Sequence, residues 1–339
     1  MLRSLPIRSF RLALVLVGLF ALARPADAAI TVKMATLAPE GSTWYKALRK
    51  MGDDWTRITN GEVQVKIYAG GVAGNETVML RKMRIGQLHA GAITTIGLVD
   101  IDNASMVSQT PMLFEGYEEL DYVMERLSPA FEKRLADKGF VVLNWSDAGW
   151  ARYFSKTPMT VPDQTSNFKA FIWEGDPAAV ELYRKMGFKP VVIAVTDMMP
   201  ALQSGMVDAY AQTPLATLAM QWFALTPHML EVPWAPLLCA TIISQETWDR
   251  IPAQYHDALL ASARDSGNAL KAEIRRQDDK AIEVMKRYGL KVHTVDSATH
   301  AQWAQTAQSL HPIIREKMVP PEIFDQANSL VEEYRSGQR

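Results

Sequence analysis

The chain has little of what most exported or catalytic proteins advertise. One cysteine, Cys239, stands in 339 residues, so there is no intrachain disulfide and no zinc site of the multi-cysteine kind. Charge of neither sign dominates: 36 Lys and Arg face 37 Asp and Glu, for a formal net charge of −1. A nucleic-acid binder would carry a basic patch or stripe, so that class is set aside. The six histidines (89, 228, 256, 293, 300 and 311) show no H-E-x-x-H and no i, i+4 pair, and no metal or cofactor is expected. Asp100-Ile101-Asp102-Asn103 starts like a calcium loop but lacks the glycine and terminal glutamate such a loop needs. Gly70-Gly71-Val72-Ala73-Gly74 is not followed by Lys-Ser/Thr and is no P-loop, and no G-x-S-x-G elbow occurs. No stretch after the first two dozen residues is long and apolar enough to span a bilayer, which takes about 20 residues.

What is present begins with an address. Arg3, Arg8 and Arg11 precede the apolar run Leu12–Ala23, and Ala26-Asp27-Ala28 is a small-x-small site before Ala29. That order reads as a signal peptide over 1–28, and the missing disulfides favour the bacterial periplasm as the destination. With 48% hydrophobic residues the remainder has enough apolar material for about two domains with true cores.

Along the mature chain, periodicity alternates between 2 and 3.6. Ile30–Thr36 and Val63–Tyr68 read as strands. Between them Trp44, Leu48, Met51, Trp55 and Ile58 form one helical stripe that stops at Asn60-Gly61. A helix opens near Asn75, another covers Tyr117–Lys138 before Gly139, and Phe140–Trp145 is a strand. The middle repeats this grammar: strand Lys169–Trp173, helix Pro177–Met186, strand Pro190–Val195, helix Thr196–Ser204 and strand Val207–Gln212. Strand and helix in alternation predict an α/β fold with a mostly parallel sheet. The stretches Met83–Ala90 and Leu202–Ala209 each end a helix at glycine and pass straight into a strand, which suggests two lobes of similar design. Tyr255–Tyr288 reads as one helix of about 50 Å that could brace both lobes, or as two helices broken near Ser266-Gly267-Asn268. Ser297–Arg335 is helical with a break at Pro320-Pro321. Cys239, in the apolar run Pro236–Ala240, reads as a small buried hydrophobe.

The candidate site lies at the ends of the predicted strands, because ligands of α/β sheets bind outside the carboxyl ends of strands. Trp145, Trp150, Arg152, Tyr153 and Phe154 cluster where the chain leaves the first lobe. Phe171 and Trp173 precede Glu174-Gly175-Asp176-Pro177, Tyr210, Gln212 and Thr213 close the strand after Asp208, and Thr94 and Thr95 close the one after His89. An aromatic-lined cleft with a few convergent polar groups suits a small molecule, although for any single aromatic a place in the core is the commoner fate.

Lys33-Met34-Ala35-Thr36-Leu37-Ala38-Pro39-Glu40-Gly41-Ser42 resembles the solute-binding subunits of TRAP transporters (tripartite ATP-independent periplasmic transporters) of the dicarboxylate-binding type. So do Thr59-Asn60-Gly61, Gly86 after Leu80-Arg81-Lys82-Met83, Ala201–Ala209 and Leu225-Thr226-Pro227-His228, in order along nearly the whole mature chain. The resemblance implies a two-lobe periplasmic binding-protein fold with crossing hinge strands and a lobe-spanning helix. Lobe I would hold 29–150 plus about 232–265, and lobe II 151–231 plus about 266–335. It implies capture of a small organic ligand by a monomer, delivery to an inner-membrane permease and, in some relatives, work with a helical-repeat periplasmic lipoprotein. One departure stands out: Phe171 falls where the family carries an arginine that clamps a substrate carboxylate. Arg152 resembles a second family arginine, with spacing from Gly149 one residue longer than usual. Glu76 matches an acidic position after the glycine turn, and it equally suits a helix N-terminus. These residues imply a ligand more apolar or aromatic than a C4-dicarboxylate. Phe171 and Trp173 would pack on it, Arg152 would take any acidic group, and Gln212, Thr213, Thr94 and Thr95 would offer neutral hydrogen bonds. A secreted hydrolase or lyase using Glu174 or Asp176 in the same cleft, and a ligand-sensing module, are the alternatives.

Overall fold

The computed structural model describes residues 29–174 and 177–337, so the expected signal peptide and Asp176 lie outside the described residues. Ten strands form in chain order: β1 (Ile30–Thr36), β2 (Val63–Tyr68), β3 (Ala90–Thr94), β4 (Phe140–Ser155), β5 (Lys169–Trp173), β6 (Lys189–Ile193), β7 (Ala209–Gln212), β8 (His228–Leu230), β9 (Ala235–Ser244) and β10 (Lys291–His293). Their order across the sheet is β2-β1-β3-β9-β4-β7-β5-β6, with β8 pairing both β4 and β10.

Two lobes follow from that order. β1 lies parallel between β2 and β3 in the first, and β5 lies parallel between β6 and β7 in the second. Each lobe is built as expected from strand–helix units. In both, the glycine that stops a helix before a strand has the left-handed backbone that favours glycine, at Gly86 (φ +69°) and Gly205 (φ +72°). The centre departs from the sequence reading. There β9 runs antiparallel to both β3 and β4, and β4 antiparallel to β7, so the sheet is parallel only at its flanks. β9 itself is absent from the sequence reading because its apolar run, buried on both faces, has no alternation to reveal a strand.

β4 is the device that joins the lobes. It continues past Trp145 to Ser155, pairing with β9 from Phe140 to Ala151 and then with β7 from Arg152 to Ser155. A bulge between Asp147 and Gly149 turns it where one lobe gives way to the other. The second link is a single unbroken helix, His256–Arg287, of 32 residues. It touches helix Thr43–Ile58 of the first lobe, β4, and helix Pro214–Ala219 of the second. Gly267 does not break it. A Cβ there would sit 2.7 Å from Asn144 Cβ and 2.8 Å from the Trp145 carbonyl, so glycine lets the helix lie directly on β4. Arg275 fastens the same helix by a two-pronged bond to Asp121 (2.6 and 2.7 Å) and by its Nε to the buried Asp147 (2.6 Å).

Candidate functional site

The carboxyl ends of β1, β3, β5 and β7 point at one another across the gap between the lobes. They enclose a cavity of about 80 Å³. Thr36, Trp44, Glu76 and Thr94 line it from the first lobe, Trp173, Gln212 and Met220 from the second, and Ser146, Leu237 and Cys239 from the two hinge strands. Leu270 of the long helix lines it as well. A single water needs about 10–15 Å³, so the space suits a small organic group. The lobes touch around it: Asn75 Nδ2 donates to Glu174 Oε2 at 2.5 Å, while Asn75 Oδ1 caps helix Glu76–Arg84 by accepting from Val78 N at 2.9 Å.

Glu76 is the acidic group of this cavity. It is 4% exposed, and its oxygens accept from Thr94 N (2.7 Å) and the Thr94 hydroxyl (2.6 Å). Gly97 lies against the carboxylate so closely that any Cβ would collide with it. Burial pushes the carboxyl up to about 7; the bonds from Thr94 and Gly97 act the other way, and Asp100 adds to the rise. No lysine or arginine lines the cavity among the described residues.

The expected site residues divide into three groups. Glu76, Thr94, Trp173 and Gln212 meet at the cavity. The Thr94 hydroxyl is already spent on Glu76 and on accepting from Gly97 N, whereas Gln212, 3% exposed, uses its Oε1 on Thr213 N (2.8 Å) and leaves its Nε2 without a partner among the described residues. Behind them stand Thr95, whose hydroxyl accepts from Gln109 Nε2 (2.8 Å), and Thr213, which caps helix Pro214–Ala219; both are fully buried. Tyr210, also fully buried, shares its hydroxyl with Thr226 Oγ1 (2.8 Å) and stacks on Phe154. Phe171 backs Trp173 with ring centroids 5.8 Å apart, packs on Trp222, and lines a side cavity that adjoins the first.

Arg152 and Trp150 form the third group, away from the cavity. Arg152 lies 3.6 Å from Asp278 on the long helix and donates to the Trp150 carbonyl (3.2 Å). Asp278 also accepts from Trp150 N and Leu215 N, so it ties β4, the long helix and the second lobe together. Its carboxyl rises to about 6, mainly by burial. Trp150 packs its ring edge-on to Tyr117, with centroids 5.2 Å apart.

Sequence reasoning missed several wall residues. Trp44 sat on the amphipathic stripe of its helix, yet its Nε1 donates to the Asp147 carbonyl (3.1 Å) and its ring faces the cleft. Thr36 closes β1, so the strand-end rule already pointed to it. Cys239, expected as core, is half-buried on the cleft wall because β9 crosses the hinge; burial pushes its thiol up, and the Glu76 and Asp147 charges add to this. Nothing in the sequence marks Leu270, whose place depends on the long helix crossing both lobes.

Residues 34–317 match the family described as bacterial extracellular solute-binding protein, family 7. The chain is 24% identical over 302 residues to the C4-dicarboxylate-binding periplasmic protein DctP of Rhodobacter capsulatus, covering 88% of this chain and 89% of that one. Its fold is similar to a TRAP periplasmic solute-binding protein from Sulfurospirillum deleyianum with bound succinate, at TM-score 0.83, 17% identity, and 89% and 99% of the two chains. It is also similar to the sugar acid binding protein DctPAm from Advenella mimigardefordensis in complex with galactonate, at TM-score 0.85, 15% identity, and 90% and 98% coverage.

Proposed function

The chain belongs to bacterial extracellular solute-binding protein family 7, and from that membership we propose that it captures a small organic monoacid with an apolar body in the cleft between its lobes. It is an extracytoplasmic binding protein rather than an enzyme, and its partner is a TRAP-type permease. In this reading the jaws are residues 29–150 with about 232–265 and residues 151–231 with about 266–335, hinged where β4 passes from β9 to β7, and the working unit is a monomer.

The observation that carries the ligand class is the wall itself: apolar and aromatic side chains, a few neutral polar groups, the buried Glu76 carboxyl whose proton affinity burial has raised, and no lining cation among the described residues. Moving a carboxylate out of water without a cation costs several kcal/mol, so one such group held by Gln212 Nε2 and neighbouring hydroxyls is tolerable and two are not. For Arg152 to serve a ligand it would have to leave Asp278. The closed arrangement is favoured only by the solute's extra contacts in it, because a ligand shifts a two-state equilibrium by its differential affinity alone. Calorimetric titration of succinate, malate, benzoate and phenylacetate tests the reading. Tighter binding of the apolar monoacids supports it; tight binding of succinate or malate with no affinity for apolar acids overturns it.

A further inference from the structure

The cleft holds a carboxyl and, among the described residues, no lining cation to pair with it. Glu76 is buried, its Oε1 accepting from the Thr94 amide and its Oε2 from the Thr94 hydroxyl. The groups that face it from neighbouring elements are acids or neutral. Asp100 follows the short helix Thr95–Leu98, and Glu174, just after β5, lines with Glu76 and Asp100 a small pocket on the flank of the cleft. The Cys239 thiol stands on β9, its proton held by burial. Lys82, farther along the helix that Glu76 opens, donates to the Ala73 carbonyl (2.8 Å). Across the cavity Gln212 brings an amide whose Nε2 has no partner among the described residues.

The cavity measures only about 80 Å³, so an acid group anywhere in it comes close to Glu76, whichever way the solute lies. Two carboxylates at such range, with no cation between them, do not both ionise: each raises the other's proton affinity, and one keeps its proton. We propose that the solute's carboxylate enters the cleft together with one proton taken from water, which Glu76 holds, so that the pair carries one negative charge. This rests on the reading of the cleft as an acid-binding site and adds how that site is regulated: capture strengthens as pH falls. Glu76 keeps the proton, rather than the solute, because burial has already raised it to about 7, whereas a free carboxylic acid titrates near about 4. Thr94 is the positioning residue. Once protonated, Glu76 Oε2 donates across the 2.6 Å contact through which it otherwise accepts, and the Thr94 hydroxyl hydrogen is freed to turn towards the solute. Gly97 N still donates to Thr94 Oγ1 (3.2 Å), which fills its second acceptor position. Thr94 Oγ1 and Gln212 Nε2 then each offer a hydrogen to the carboxylate from opposite lobes.

Benzoate and phenylacetate, titrated by calorimetry at pH 6 and pH 8 in pairs of buffers of different ionisation enthalpy, test the linkage, since the difference in heat counts protons. Close to one proton per bound acid is expected at pH 8 and about a tenth of one at pH 6, with affinity about tenfold weaker at the higher pH. Glu76→Gln imitates the protonated acid: its amide oxygen accepts from Thr94 N and its amide nitrogen donates to Thr94 Oγ1. The variant should bind both acids about tenfold more tightly than the natural chain at pH 8, without proton uptake and equally at the two pH values. Such a gain requires a folded protein; if the variant does not fold, the proton count of the natural chain decides alone. Acids that bind the natural chain at pH 8 without proton uptake, or a variant that takes up as many protons as the natural chain, overturn the linkage and leave the cleft reading standing. Failure of both acids to bind at either pH overturns the cleft reading, and the linkage with it.

Discussion

Glu76 sits where a folded chain rarely leaves a carboxyl: buried, bonded to one threonine and a glycine amide, and with no ion-pair partner among the described residues. Its ordinary value is 4.5, and burial raises it to about 7. Below the ordinary value both folded and unfolded chains are protonated, and the contribution to stability is fully present. As pH rises through 4.5 the unfolded chain releases its proton while the folded chain holds it, so stability is lost until the pH has passed through about 7. The loss is on the order of 3 kcal/mol for a shift of this size. Asp278, raised to about 6, acts with the same sign. Urea unfolding at pH 5 and pH 8 should therefore show a fall in stability that is clearly larger for the natural chain than for Glu76→Gln. The raised Asp278 and Asp147, and the histidines whose proton affinity burial lowers and which act with the opposite sign, contribute equally to both proteins. An equal fall in both proteins would mean that Glu76 titrates as it does in the unfolded chain. The sequence offered a helix start and the cleft wall as alternatives for this carboxyl; it stands at the first residue of its helix and also lines the cavity. Its burial was not legible, because it comes from Gly97 lying on the carboxylate, a contact between turns that share no local pattern.

Among the elements, the long helix shows most plainly where local signals end. Ser266-Gly267-Asn268 looks like a break by propensity, since glycine in a helix interior costs about 1 kcal/mol relative to alanine. The structure keeps the helix whole because that glycine meets the backbone of β4. Two opposed effects then decide Gly267→Ala: a helix-propensity gain of about 1 kcal/mol against an overpacking cost of typically 1–3 kcal/mol. With a Cβ 2.7 Å from Asn144 Cβ and 2.8 Å from a carbonyl oxygen, packing wins, and the variant is expected to melt several degrees lower despite its better helix former. A rise in melting temperature would show that the helix does not bear on β4. The flanking strands were legible because they alternate or follow glycine stops, as β1, β2 and β5 do. β9 was not, and with it went the antiparallel centre of the sheet and the place of Cys239. β8 and β10, of three residues each, are too short to carry a periodicity of their own.

For the molecule as a whole, the two-lobe plan was legible from the order of motifs along the chain, while the division of labour inside the cleft was not. Arg152 reads as a ligand contact in the sequence and lies against Asp278 in the fold. Trp44 reads as core and faces the gap. Both differences arise because the cleft walls are drawn from elements more than two hundred residues apart, such as Thr36 and Leu270, which only the tertiary fold brings together. A solute-binding protein of this plan holds its solute between the lobes and releases it unaltered. Native mass spectrometry of the protein purified from cells, beside a Gln212→Trp variant whose larger ring occupies the cleft, tests that most directly. One small-molecule adduct, recovered chemically intact on denaturation and missing from the variant, is the predicted result. An adduct that persists when the cleft is filled, or a molecule that emerges chemically changed, would contradict it.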